Sequence, residues 1–351
     1  MKGFLLLLYI HIPFCDSKCG YCAFFSQVNK ENMIEPYFQA LLKDIKHTLK
    51  HFSVKKITSI FVGGGTPNFV DSKHYKEIFN LLMPLCASDC EITFEMNPNL
   101  ITHSWLSEIK GLGANRLSIG VQSFYDDKLQ MLERVHSYDD ICRAFDIAYK
   151  HIENISLDLI YDCKLDTNKR MEYELESALK LPISHLSAYS LSIDSNSRFG
   201  DRKAYSLQSR ESFGVFVRDF LQKKGFRQYE VSNFSYKNKC RHNLGYWNGE
   251  AYLGVGASSV GRVDSVRYFA TPNLEQYITH PLQKKEEVLS QNDLNFESIF
   301  MGFRSEIGVE KSLLNKAKLK YVIESNLCYE YDNRIYANDF FLADSIALYL
   351  S

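Results

Sequence analysis

The first half of the chain alternates short apolar runs with longer stretches whose apolar residues recur at helical spacing. Leu5–Ile12 is a continuous apolar run and predicts a first parallel strand buried on both faces. Glu35–Lys50 predicts a helix, Ile57–Val62 a second strand ending in Gly63-Gly64-Gly65, and Ser72–Leu85 another helix. Glu91–Met96 reads as a third strand, stopped by Asn97-Pro98, and Thr102 suits the N-cap of a helix running to Leu112. Arg116–Val121, Ile155–Tyr161 and His185–Ile193 complete the strands, separated by helices over Asp126–Leu132, Tyr138–His151 and, before the last strand, Lys169–Leu181. Six strand–helix units in succession predict an α/β fold: a partial parallel (β/α)6 barrel over residues 1–200 with right-handed crossovers. Its active site is expected at the C-terminal strand ends.

Beyond residue 200 the rhythm changes. Ser209–Lys224 reads as a helix, Gly225-Phe226 opens a strand-like stretch to Phe234, and a glycine-rich segment runs from Gly245 to Gly261. We treat 201–285 as an extension, with polar Gln283–Glu287 as a linker, and 286–351 as a smaller C-terminal helical or winged-helix-like domain.

Composition narrows the classes. Hydrophobic residues at 45% and charged residues at 24% describe an ordinary globular chain, and a net charge of −1 offers no basic field for nucleic acid. The apolar stretch Phe4–Leu8 after Lys2 imitates a signal peptide, but it is short and lacks a small-residue cleavage site. No apolar run has the ~18–20 residues that span a bilayer, so a cytoplasmic location is expected. The nine cysteines are an odd number in a long chain, and three crowd into Cys15–Cys22. That distribution favours metal or cluster ligation in a reducing compartment over a disulfide framework.

Cys15-Asp16-Ser17-Lys18-Cys19-Gly20-Tyr21-Cys22 has the spacing C-x3-C-x2-C on a loop just after a strand. Three thiolates there can face one iron–sulfur cluster and leave one iron open. A zinc site would call for a second ligand pair at metal spacing, and none stands out. Cys86 and Cys90 form another close pair, placed on the turn before strand three and read as incidental.

The C-x3-C-x2-C loop resembles that of the radical S-adenosylmethionine (SAM) superfamily. Tyr9-Ile10-His11-Ile12-Pro13-Phe14 before it, and Gly63-Gly64-Gly65-Thr66-Pro67 after strand two, resemble the anaerobic coproporphyrinogen III oxidase-like family. The resemblance implies a 4Fe-4S cluster on Cys15, Cys19 and Cys22, with S-adenosylmethionine on its open iron. It further implies that Tyr9, Gly64, Gly65, Thr66, Glu95, Gln122, Arg134 and Asp158 contact S-adenosylmethionine, and that an electron donor such as a flavodoxin or ferredoxin serves the cluster. One departure stands out: after Leu159-Ile160-Tyr161 the family continues with a Gly-Leu-Pro turn, whereas this chain has Asp162-Cys163-Lys164-Leu165-Asp166-Thr167.

Two features resemble the heme-chaperone branch of that family. The oxidase branch carries a further cysteine two residues after the cluster motif, where this chain has Phe24. The second is Cys240-Arg241-His242-Asn243-Leu244-Gly245-Tyr246-Trp247, which contains the H-N-x-x-Y-W pattern associated with heme. The branch implies binding of heme and transfer to an acceptor protein, with His242 as candidate axial ligand and Cys240 as a weaker one. The rival readings are the oxidase itself, decarboxylating propionate side chains to vinyl groups, and a radical enzyme acting on another substrate.

Overall fold

The computed structural model describes residues 6–195, 197–200 and 212–351. The expected first-strand residues before Leu6 and the expected helical residues before Ser212 lie outside that range. Strand β1 (Leu6–Ile12) leads to α1 (Ile34–His51), β2 (Ile57–Gly64), α2 (Lys76–Leu82), β3 (Cys86–Met96) and α3 (His103–Gly111). The chain continues through β4 (Arg116–Gln122), α4 (Asp126–Met131), α5 (Tyr138–His151), β5 (Ile155–Tyr161), α6 (Asn168–Leu179) and β6 (His185–Ser190).

These six strands pair in chain order, all parallel, and form the expected partial barrel. Their outer face is apolar. Leu8, Ile10, Ile60, Val62, Ile92, Phe94, Leu117, Ile119, Leu157, Leu186 and Ala188 pack with the helices in one continuous core. The opposite face carries Tyr9, His11, Phe61, Glu95, Arg116, Ser118, Asp158, Ser187 and Tyr189, which line a cavity. Side chains alternate across a strand, so one sequence builds an oily exterior and a polar interior.

Next come α7 (Gly214–Lys223), β7 (Arg227–Gln228), β8 (Asn233–Ser235), α8 (Arg241–Trp247), β9 (Tyr252–Val255), β10 (Val260–Val263), β11 (Val266–Ala270), α9 (Leu274–Thr279) and β12 (Lys284–Val288). Strand β8 pairs antiparallel with β6, while β9 pairs parallel with β1, so one sheet runs β12-β11-β10-β9-β1-β2-β3-β4-β5-β6-β8-β7. Gln283–Glu287, expected as a linker, falls largely within the sheet-edge strand β12.

The last residues form α10 (Gln291–Phe303), β13 (Val309–Glu310), α11 (Lys316–Glu324), β14 (Cys328–Tyr331), β15 (Arg334–Ala337) and α12 (Ala343–Leu350). Three antiparallel strands in the order β13-β15-β14 and their helices enclose a separate apolar core, with the β14–β15 hairpin as the wing. This module touches both flanks of the open sheet. On one flank Glu230 bridges Ser305 and the Val231 amide donates to the Arg304 carbonyl at 2.8 Å. On the other, Arg267 of β11 pairs with Glu297 of α10.

Strand three begins earlier than expected, at Cys86. Its pairing with β2 jumps from Ile57↔Cys86 to Ser59↔Glu91, so the Cys86–Cys90 segment belongs to a strand with a bulge. The expected helix over Ser72–Leu85 is divided into a 3-10 turn, the short α2 and a second 3-10 turn containing Pro84. Proline in a helix interior removes a hydrogen bond and clashes with the preceding turn.

Candidate functional site

The three cysteines sit between β1 and α1, in a loop closed by its own backbone. The Cys15 amide donates to the Gln27 carbonyl at 3.0 Å and the Gln27 amide donates back to Pro13 at 2.6 Å. The glycine turn after β2 seals its flank, through Gly65 N to the Ile12 carbonyl and Thr66 N to the Phe14 carbonyl, both at 2.8 Å. Gly64 holds φ at +106°, and a Cβ there would stand 2.3 Å from the His11 ring, so both backbone and space require glycine. From the other side the Phe199 amide donates to the Gly20 carbonyl, and Arg198 pairs with Glu133 while donating to the Lys18 carbonyl at 2.9 Å.

Donors converge on the sulfurs. The Thr66 hydroxyl donates to Cys15 Sγ at 3.2 Å, and Arg134 Nη1 donates to Cys19 Sγ at 3.5 Å. Arg134 Nη2 is fixed by the Asn97 side-chain oxygen and the Gly120 carbonyl, each at 2.8 Å. Burial pushes the Cys15 thiol up to about 11, against the pull of Thr66 and Ser26, and raises Cys22 as well. Thiols that deep carry negative charge only when a cation or metal cluster shares it. Among the described residues no three His, Cys, Asp or Glu side chains come together as ligands of a single metal ion. In an iron–sulfur cube, by contrast, each thiolate takes a different iron.

Tyr9, Gly64, Glu95, Asp158 and His242 line one cavity of about 1030 Å³ along the inner face of the sheet. Glu95 accepts the Gly64 amide at 3.0 Å, and burial lifts its carboxyl to about 7. Asp158 accepts the Ser118 hydroxyl at 3.2 and 3.3 Å, and burial raises it too. The Tyr9 hydroxyl meets His11 Nδ1 at 3.0 Å. Gly65, Thr66, Gln122 and Arg134 gather on the cysteine side instead. Gln122 is held at φ +66°, and a Cβ on Gly120 would lie 2.9 Å from Gln122 Nε2 and 3.3 Å from Arg134 Nη2.

The H-N-x-x-Y-W motif lies in α8, whose first turn is capped from a distance. Glu91 of β3 accepts the Arg241 amide at 3.1 Å, the His242 amide at 3.0 Å and the Cys240 thiol at 3.7 Å. His242 reaches the cavity with both ring nitrogens engaged: Nδ1 meets the Ser59 hydroxyl at 2.8 Å and Nε2 the Tyr246 hydroxyl at 3.0 Å. Burial and the nearby Arg116 guanidinium lower its pKa to about 3, so the ring is neutral. Cys240, a candidate ligand by sequence, is fully buried on Glu91 and lies outside the cavity lining, its thiol pushed up to about 12. The Asp162–Thr167 departure builds structure of its own. Asp162 accepts the Ser190 and Ser212 hydroxyls and the Phe213 amide, and Asp166 joins a buried ion cluster with Lys128 and Glu174.

Sequence reasoning passed over Asn97, which orients Arg134, and Arg116, Ser118 and Glu91 on the inner face. Their signal was present as polar residues at every second position of otherwise apolar strands.

The Radical SAM superfamily model matches residues 9–197. The heme chaperone HemW of Buchnera aphidicola subsp. Schizaphis graminum is 33% identical over 308 residues, covering 85% of this chain and 82% of its own. The chain belongs to the HemW family of radical SAM proteins. Another HemW relative, from Bacillus subtilis, is 32% identical over 326 residues, covering 86% of this chain and 84% of its own. Coproporphyrinogen III oxidase (HemN) from Escherichia coli shares the fold with a TM-score of 0.85 at 20% identity, covering 99% of this chain and 90% of that one.

Membership of the radical SAM superfamily implies an iron–sulfur cluster and S-adenosylmethionine. The residues present fit them: buried thiols with hydroxyl and guanidinium donors aimed at sulfur, beside a cavity holding Gly64, Glu95 and Asp158. No helix among the described residues is long and apolar enough to cross a membrane.

Proposed function

We propose that this HemW-family member is a heme chaperone of the cytoplasm, which binds heme in the inner cavity and passes it to an acceptor protein. Cys15, Cys19 and Cys22 would hold a 4Fe-4S cluster. Tyr9, Gly64, Gly65, Thr66, Glu95, Gln122, Arg134 and Asp158 would serve S-adenosylmethionine, and a flavodoxin or ferredoxin would supply electrons. When bound, the cluster supplies one-electron reduction of the sulfonium.

One observation carries the reading. Phe24, at the position where the oxidase branch has a further cysteine, lines the same cavity as His242, Tyr246 and Trp247 of the H-N-x-x-Y-W motif. Aromatic faces suit a porphyrin, and about 1030 Å³ stands at the top of the ~300–1,000 Å³ typical of ligand pockets. His242 is the axial-ligand candidate. A hydrogen bond from Nδ1 to Ser59 would leave the Nε2 lone pair toward Tyr246 and the cavity, the second-partner arrangement common to metal-binding imidazoles.

The deciding experiment is a paired assay on one anaerobically reconstituted preparation. Hemin should give a Soret band that weakens in His242→Ala. Decarboxylation of coproporphyrinogen III with consumption of S-adenosylmethionine would instead establish the oxidase reading.

A further inference from the structure

The inner face holds an arginine that faces the Asp158 carboxylate electrostatically but donates no hydrogen bond to the residues assigned to the cluster or S-adenosylmethionine. Arg116 opens β4 and faces inward on the same side as Ser118, at the strand end away from the cysteine loop. It is only 2% exposed yet lines the cavity. Its Nε and Nη1 are buried without a hydrogen-bond partner among the described residues.

A buried donor left unmatched costs free energy, and a charged one costs more. The nearby carboxylates balance the charge without meeting those donors. Glu91 is occupied by the first turn of α8, and Asp158 by the Ser118 and Ser187 hydroxyls. The polar groups at this spot therefore lack an acceptor. A guanidinium offers planar forks of N–H groups, Nε with Nη2 on its side and Nη1 with Nη2 at its end, and a carboxylate on either fork satisfies one of the two unpartnered donors with two parallel hydrogen bonds. Trp247 Nε1 is a further unpartnered buried donor in the same lining.

We propose that Arg116 anchors a carboxylate of the guest, namely one propionate of the tetrapyrrole. The assignment rests on the heme reading. It adds that the planar guest is oriented by an acid group deep in the barrel, with its ring against the α8 aromatics. Arg116 is then a binding residue for the cargo.

The test uses the full chain, reconstituted anaerobically, titrated with hemin and with hemin dimethyl ester, whose propionates are capped. Wild type should prefer hemin by about 10- to 100-fold, the range for hydrogen bonds to a charged group. Arg116→Gln should bind the two equally, and Arg116→Lys should keep part of the preference. Equal binding of both by the wild type would mean that water fills the site and would overturn the proposal with no variant needed. An undiminished preference in a folded Arg116→Gln would overturn it as well. In both cases the heme reading stands. A wild type that binds neither probe overturns the heme reading and this assignment with it.

Discussion

The two ends of the barrel treat their candidate ligands differently. At the C-terminal strand ends, Thr66 and Arg134 already point at sulfur, and Asn97 and Gly120 hold Arg134 in place. At the other end His242 is saturated: Ser59 and Tyr246 take both ring nitrogens. The first end is arranged in advance for an anionic cluster. With His242 as the proposed axial ligand, the second would gain a metal only by giving up an internal hydrogen bond, which suits a guest that must leave again.

The largest test removes the first end. Replacing Cys15, Cys19 and Cys22 together by serine should abolish iron and sulfide, read by elemental analysis and loss of the brown colour. A full complement in that variant would erase the contrast.

Next is the ion cluster that ties the loops after β4 and β5. Lys128 meets Asp166 at 2.7 Å and Glu174 at 3.4 Å with all three side chains buried, and Glu174 accepts the Ser123 hydroxyl and Phe124 amide. Lys128→Met leaves two carboxylates uncompensated and should cost about 3–5 kcal/mol in urea unfolding. A change under about 1 kcal/mol would show that Gln122 and its neighbours are held by other means.

Protonation compares the ends directly. Burial lowers His11, on the cluster side, to about 4 and His242 to about 3, against an ordinary value near 6.5. The unfolded chain takes up these protons first. The stability they lend is therefore complete above about pH 6.5 and is lost as pH falls toward the folded values. Each of His11→Gln and His242→Gln should flatten the acid slope by roughly 1.4 kcal/mol per pH unit within that window, followed by urea midpoints. An unchanged slope in one variant would mean that its end has opened before the ring is protonated.

The smallest effect sharpens the second end. Tyr246→Phe removes the hydroxyl on His242 Nε2 and should tighten hemin binding about fivefold, the worth of one ordinary hydrogen bond. Weaker binding would place the Tyr246 hydroxyl itself on the guest.

Much of this was legible in the chain because it is local. β5 runs Ile155–Tyr161 as expected, and Thr102 caps α3 by accepting the Trp105 amide. The placement of the cysteine loop, glycine turn and Glu95 on one side also follows from sequence order, since a parallel barrel delivers consecutive strand ends to one rim, while the choice of Glu95 as a ligand contact is what the family resemblance implies. What escaped is long-range. β12 is an edge strand of mostly exposed Lys and Glu, so no apolar alternation marks it. Helix α8 runs into the glycine-rich stretch, its first turn capped by Glu91 from far back in the chain. The saturation of His242 depends on Ser59, 183 residues away.

The terminal module fastens to both flanks of a sheet that never closes on itself, through Glu230–Ser305 and Val231–Arg304 on one side and Arg267–Glu297 on the other. The chamber is thus walled on one side by a part with its own core. Because its apolar cluster is distinct from the barrel's, the packing of the strands behind it does not depend on the wall's own interior. Lys239–Glu306 and Arg218–Asp339 add to those fastenings, so this wall is held by polar contacts at its edges, well apart from the cysteine loop at the other rim.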